Sequence, residues 1–238
     1  MLGLHMTRCH PSAEAIDVTL VKSARGTAGA QGVRDMLDML TDRSRSPLTR
    51  VSDCNPAGQA EPPRRAFALP TAETVFLSPG PASPAIRTHT LFDTPAMNRS
   101  IRALRGLRSL APPLYRLIRN LAAAAKSRQV PPADERIRLV AVATAADGAV
   151  LGCTAPAYAS DYGASAAAVT ALADLACSGA LRAGAGHSAQ LTDCARLSGH
   201  ACLQRMVAGS GGVCSVTAAA VESTSARAAF GITRSGPA

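Results

Sequence analysis

The stretch Ile16–Leu40, IDVTLVKSARGTAGAQGVRDMLDML, constrains this chain more than any other part of it. Ile16, Val18 and Leu20 alternate with Asp17 and Thr19, which is the two-residue period of a half-buried strand. A glycine-spaced loop follows at Gly26, Thr27, Gly29 and Gly32. Val33, Met36, Leu37 and Leu40 then recur at helical spacing. Only about 15 residues stand ahead of this unit, too few for a dinucleotide-binding fold.

The rest of the chain supplies alternating strands and helices. Thr41 to Pro63 is polar and turn-rich and is expected to be a loop. Ile86 to Phe92 alternates loosely and is expected to be a strand. From Arg99 the pattern turns helical, and Pro112-Pro113 should divide it into two helices, because a proline ring clashes with the preceding turn. Arg136 to Thr144 reads as a strand, Asp147-Gly148 as a hairpin turn and Ala149 to Ala155 as the returning strand. Ser160 or Asp161 can cap a helix running through Leu175, with Gly179 as its stop.

These elements define an α+β fold. The expectation is a mainly antiparallel sheet covered by helices on one side, with irregular loops. Residues 1–15 are expected to be irregular, 16–184 to form the folded domain, and 185–238 to be poorly ordered. The tail from Ser215 is rich in Ala, Ser, Thr and Gly, a composition short of core-forming side chains. Hydrophobic residues make up 47% of the chain but aromatics only 3%, so the core must be built from Leu, Val, Ile and Ala.

Two segments resemble the catalytic part of saccharopine dehydrogenase-like oxidoreductases. One is the strand, the Gly26-Thr27-Ala28-Gly29 loop and the Arg34-bearing helix. The other is the RIRLVAVATAADGAVLG hairpin followed by DYGASAAAVTALADLACSGALRAG, in which Asp161 and Tyr162 are adjacent and Ser165 stands for a threonine. The FALP and DTPAMN stretches lie between them, so the resemblance spans Ile16 to Gly184. The proline that the family places after the glycine at the end of this segment is missing. The resemblance implies hydride transfer between NAD or NADP and an imine, amine or related carbon, with the cofactor held by a separate domain. It implies a small-molecule substrate and a homodimer, and a chain inactive without its cofactor domain. Gly26, Thr27, Gly29, Arg34 and Tyr162 would border the substrate, the loop through backbone N–H groups and Arg34 by pairing with a carboxylate. No residue is assigned as catalytic acid or base, and none as a cofactor ligand.

Other motifs carry less. Gly184-Ala185-Gly186-His187-Ser188-Ala189 fits G-x-G-x-x-A but follows a helix end, and Gly209-Ser210-Gly211-Gly212 has no acidic residue about 20 positions later. Both read as loops. Cys177, His187, Cys194, His200 and Cys202 match no familiar zinc spacing, so no metal is expected. Seven cysteines, odd in number and irregular in spacing, suit a reducing compartment. With a poor signal peptide and no long apolar run, the expected location is cytoplasmic.

The formal charge is +9, from 25 Lys+Arg against 16 Asp+Glu. Eight cations from Arg99 to Arg128 stand without an acid among them. A basic non-enzymatic module binding anionic partners through these helices is the competing reading, and a truncated reading frame without independent function is a third. Nucleic acid and anionic lipid are disfavoured as partners, because Tyr115 is the one aromatic available for stacking there. The stripe Ile101, Leu104, Leu107, Leu114, Leu117, Ile118 and Leu121 is expected to be buried, with the cations facing water.

Overall fold

A computed structural model describes residues 2–26, 28–55, 59–69, 84–130, 136–158, 161–181 and 200. Among these, seven strands form one mixed sheet and five helices accompany it. The sheet begins with β1 (Ala15–Lys22), β2 (Leu48–Cys54), β3 (Ala60–Ala68) and β4 (Ala85–Phe92). It continues with β5 (Ile137–Thr144), β6 (Val150–Thr154) and the short β7 (Ala157–Tyr158). The order is β2-β3-β4-β1-β5-β6, with β7 also on β5. Only β1 and β4 run parallel, Ile16 opposite Ile86 through Lys22 opposite Phe92; every other pairing among the described strands is antiparallel.

β1 sits in the middle of this order, and that position overturns its reading as half-buried. Asp17 and Thr19 are 3% and 2% exposed. The reason is curvature. Val51 and Cys54 of β2 pack with Val21, Leu91, Val140 and Val142, although three strands separate β2 from β5 in the order. The β2–β3 hairpin therefore curls back over the face that carries Asp17 and Thr19. The opposite face, carrying Ile16, Val18, Phe67 and Phe92, is covered by helices.

That hairpin occupies the segment expected to be a loop. Its sequence hides it because Pro62 and Pro63 stand inside β3, where a proline cannot donate to a ladder. The structure accommodates them at a bulge. Val51 pairs with Arg64 and Asp53 with Glu61, so the two prolines face the single residue Ser52. The N-terminus also departs from expectation: Leu2–Cys9 forms α1, and Met6 is buried with Ala13, Ile16 and Val18.

Helix α2 (Ala30–Thr41) packs Val33, Leu37 and Leu40 against Phe67 and Phe92. Helices α3 (Pro95–Leu110) and α4 (Pro112–Lys126) lean on α2. The division at Pro112-Pro113 is as expected: both prolines fall in the first turn of α4, where their missing N–H costs nothing. Helix α5 (Asp161–Cys177) ends as expected at Gly179, which has φ 67°. The expected poor order of residues 185–238 falls outside the described residues, apart from His200.

The orientation of α3 and α4 reverses the expectation for the arginine helices. Arg105 is 4% exposed; its Nε donates to Leu40 O at 2.9 Å and its Nη2 to Ser46 O. Arg108 donates to Asp38 O and, at 3.1 Å, to Thr41 Oγ1, while Arg119 pairs with Asp38. Tyr115, also buried, donates to Asp38 Oδ1 at 2.8 Å. These donors close on the C-terminal end of α2, whose last carbonyls and acids carry negative charge and lack partners within the helix. The stripe divides accordingly. Ile101 is buried and Leu104 packs beside it, but Leu110, Leu114, Leu117 and Leu121 face outward, Leu117 with 56% exposure.

No described helix is long and apolar enough to cross a membrane.

Candidate functional site

The loop after β1 lies at the carboxyl ends of the two parallel strands, the place where sheets of α/β type leave a crevice for ligands. Its geometry follows from local bonding. Gly26 N–H donates to Ser23 O at 3.2 Å and Arg25 N–H to Ser23 Oγ at 3.1 Å, closing a tight turn. Ala24 N–H donates to Asp93 Oδ1 at 2.9 Å, and Asp93 N–H donates to Lys22 O at 2.9 Å, tying the β1 loop to the end of β4. Lys126 Nζ donates to Ala24 O, which joins the end of α4 to the same loop.

The turn after β4 is equally fixed. Asn98, buried in the first turns of α3, accepts from Phe92 N–H at 2.9 Å and donates to Phe92 O at 2.7 Å. Helix α2 starts directly from the loop, with Gly29 as its N-cap and no side-chain cap hydrogen bond among the described residues. Those amides and the positive end of the helix can receive an anion. Arg34 lies a turn further on, half-buried, with Nη1 3.3 Å from Gln31 Oε1.

Gly26, Gly29 and Arg34 therefore share one loop and helix start. Thr27 lies outside the described residues, and so does the side chain of Tyr162. The helix of Tyr162, α5, makes no extensive contact with any other described helix or strand. Asp93 and Lys126, which bond to Ala24, and Asn98, which fixes the turn at Phe92, were not legible as parts of this region, because only the folded chain brings them together.

The loop does not fit a dinucleotide. Its glycines fall as Gly26, Gly29 and Gly32, one residue wider than the close pair of the pyrophosphate turn. The carboxylate at the end of the neighbouring parallel strand, Asp93, is already bonded to Ala24 N–H and to the Thr94 hydroxyl at 3.0 Å.

Elsewhere the described residues hold no group of three or more metal-ligating side chains. His187, Cys194 and Cys202 lie outside them, while His200 Nε2 sits 2.8 Å from Asp174 Oδ2. Cys54 is buried, and burial together with a hydrogen bond to Cys153 pushes its thiol well above the usual range, so it is no nucleophile at neutral pH.

No family model, no curated protein and no solved structure matches this chain.

Proposed function

We propose that this chain is the substrate-holding catalytic part of a saccharopine dehydrogenase-like oxidoreductase. The observation that carries this reading is the placement of Gly26, Gly29 and Arg34 at the carboxyl ends of a parallel strand pair, around a helix start with no side-chain cap among the described residues. A substrate carboxylate would meet the first amides of α2 and the Arg34 guanidinium there. The nicotinamide would come from a cofactor domain outside these residues.

The same reading makes the protein cytoplasmic and a homodimer. Among the described cysteines Cys9, Cys54, Cys153 and Cys177 form no disulfide, and Cys54 remains a thiol beside Cys153. Leu110, Leu114, Leu117 and Leu121 offer an apolar outer surface for subunit contact. The competing reading of α3 and α4 as a polyanion-binding module loses support, because Arg105, Arg108, Arg119 and Lys126 are engaged within the fold.

The test is titration calorimetry with saccharopine and, separately, with NADPH. Saccharopine is expected to bind saturably and to lose most of its affinity in Arg34→Gln, while NADPH gives no saturable heat. Micromolar NADPH binding, or saccharopine binding indifferent to Arg34, would refute the reading.

A further inference from the structure

The concave face of the sheet, opposite the helices, opens into a cavity of about 310 Å³. Asp17, Arg50, Ser52, Pro63, Arg87 and Thr144 are among its walls. This volume is at the small end of ligand pockets. The site lies on the early residues of β1, whereas Gly26 and Arg34 follow its far end.

Its charges are arranged for an anion. Asp17 is almost wholly buried, and both its oxygens are taken: Arg87 Nε reaches Oδ1 at 2.9 Å and Nη2 reaches Oδ2 at 3.2 Å. His89 Nε2 lies 3.2 Å from Oδ1, and Thr49 Oγ1 lies 3.1 Å from His89 Nδ1. The carboxylate is thus fully occupied in holding Arg87. The Arg87 side chain remains 54% exposed, leaving N–H groups that Asp17 does not use. Arg50 is exposed, and the described residues give its guanidinium no hydrogen bond or ion pair. Two guanidiniums against one carboxylate leave one net positive charge.

The backbone is irregular at this same place. The β2–β3 ladder shifts at Ser52, opposite Pro62 and Pro63, and the β5–β6 ladder shifts between Ala143 and Thr144. Both irregularities therefore put residues on the cavity wall, Ser52 and Pro63 from one and Thr144 from the other. Bulges commonly re-aim side chains beside binding sites.

We propose that this cavity binds a small oxyanion, a carboxylate or a phosphate, between Arg50 and Arg87. Each guanidinium presents a planar fork of donors suited to either group. Asp17 acts as a positioning residue that fixes the Arg87 fork. The proposal does not depend on the oxidoreductase reading, since it uses neither the glycine loop nor Arg34.

The experiment titrates succinate and inorganic phosphate into the full chain in low-chloride buffer, following backbone amide shifts by NMR. At least one probe is expected to bind saturably with a Kd on the order of millimolar or tighter, shifting the Ser52 and Gly148 amides. Saturation by succinate alone makes the ligand a carboxylate, and saturation by phosphate alone makes it a phosphate. Arg50→Gln removes an exposed side chain without a partner among the described residues and should weaken binding at least about tenfold, the factor that 1.4 kcal/mol represents. Arg34→Gln should leave these shifts in place, which separates this site from the glycine-loop site. Failure of both probes to saturate, or an Arg50→Gln titration equal to wild type, would overturn the proposal.

Discussion

Replacing Arg105 with Met should be among the most destabilising single changes on the helical side of the protein. The side chain is buried, yet no carboxylate among the described residues forms an ion pair with it. It is satisfied by carbonyls, Leu40 O at 2.9 Å and Ser46 O, and its guanidinium lies 5.3 Å from the Phe67 ring centre. Burial lowers the Arg105 pKa, so the charged form is held at a cost that these contacts offset. Methionine relieves the cost of burying a charge but cannot satisfy the carbonyls. Hydrogen bonds to charged groups contribute about 1.5–3 kcal/mol each, and a cation over an aromatic face about 0.5–2 kcal/mol. With the apolar gain of methionine set against them, the net loss should be about 2–4 kcal/mol, from two buried carbonyls left unpaired at about 1–3 kcal/mol each. A domain of this kind has roughly 5–15 kcal/mol in total. Urea unfolding followed by circular dichroism measures the difference directly, with Arg99→Gln, an exposed substitution, as the reference. A loss below about 1 kcal/mol would mean that Arg105 does not cap α2 from within the fold.

At protein concentrations low enough to keep the chain monomeric, Leu117→Asp should leave stability within about 0.5 kcal/mol of wild type in the same assay, because Leu117 faces outward in the subunit, whereas Phe67→Ala should cost about 3–5 kcal/mol. Gly152→Ala should lower the thermal midpoint, since a Cβ there would overlap the His10 imidazole, which would have to move; an unchanged midpoint would count against the seating of His10 on Gly152. Iodoacetamide mapped by mass spectrometry should modify exposed Cys9 and Cys177 at neutral pH and spare Cys54 until the protein unfolds. The Cys54 thiol is raised in the fold above its ordinary 9.0, so the stability it contributes is complete below that pH and falls as pH rises beyond it. Alkaline titration of the unfolding midpoint in wild type and Cys54→Ala checks that sign.

Much of the fold was legible because local signals agreed with one another. β1 and α2, the break at Pro112-Pro113, and the hairpin through Gly148, whose φ of 83° suits a glycine, were all readable from period and turn chemistry. The β2–β3 hairpin was not, because proline tolerance depends on a bulge that appears only when Ser52 faces Pro62 and Pro63. The inward turn of Arg105, Arg108 and Arg119 was hidden for a similar reason. A hydrophobicity stripe ranks leucine over arginine, but the buried carbonyls and acids at the end of α2 need donors that leucine cannot provide. At the candidate site, Gly26, Gly29 and Arg34 could be read from one continuous segment. Asp93, Asn98 and Lys126 could not, since each is tens of residues away and joins the loop through tertiary structure.

The reading of this chain as the substrate-holding part of an NAD(P)-dependent oxidoreductase is tested most directly by supplying a cofactor domain. The cofactor domain of a saccharopine dehydrogenase-like enzyme would be fused ahead of Met1 of the full chain, and NADPH oxidation followed with an amino acid and a 2-oxo acid as substrates. The account predicts no turnover by either half alone, turnover by the fusion, and its loss in Arg34→Gln. A fusion in which both halves fold and bind their ligands, yet which transfers no hydride, would contradict it.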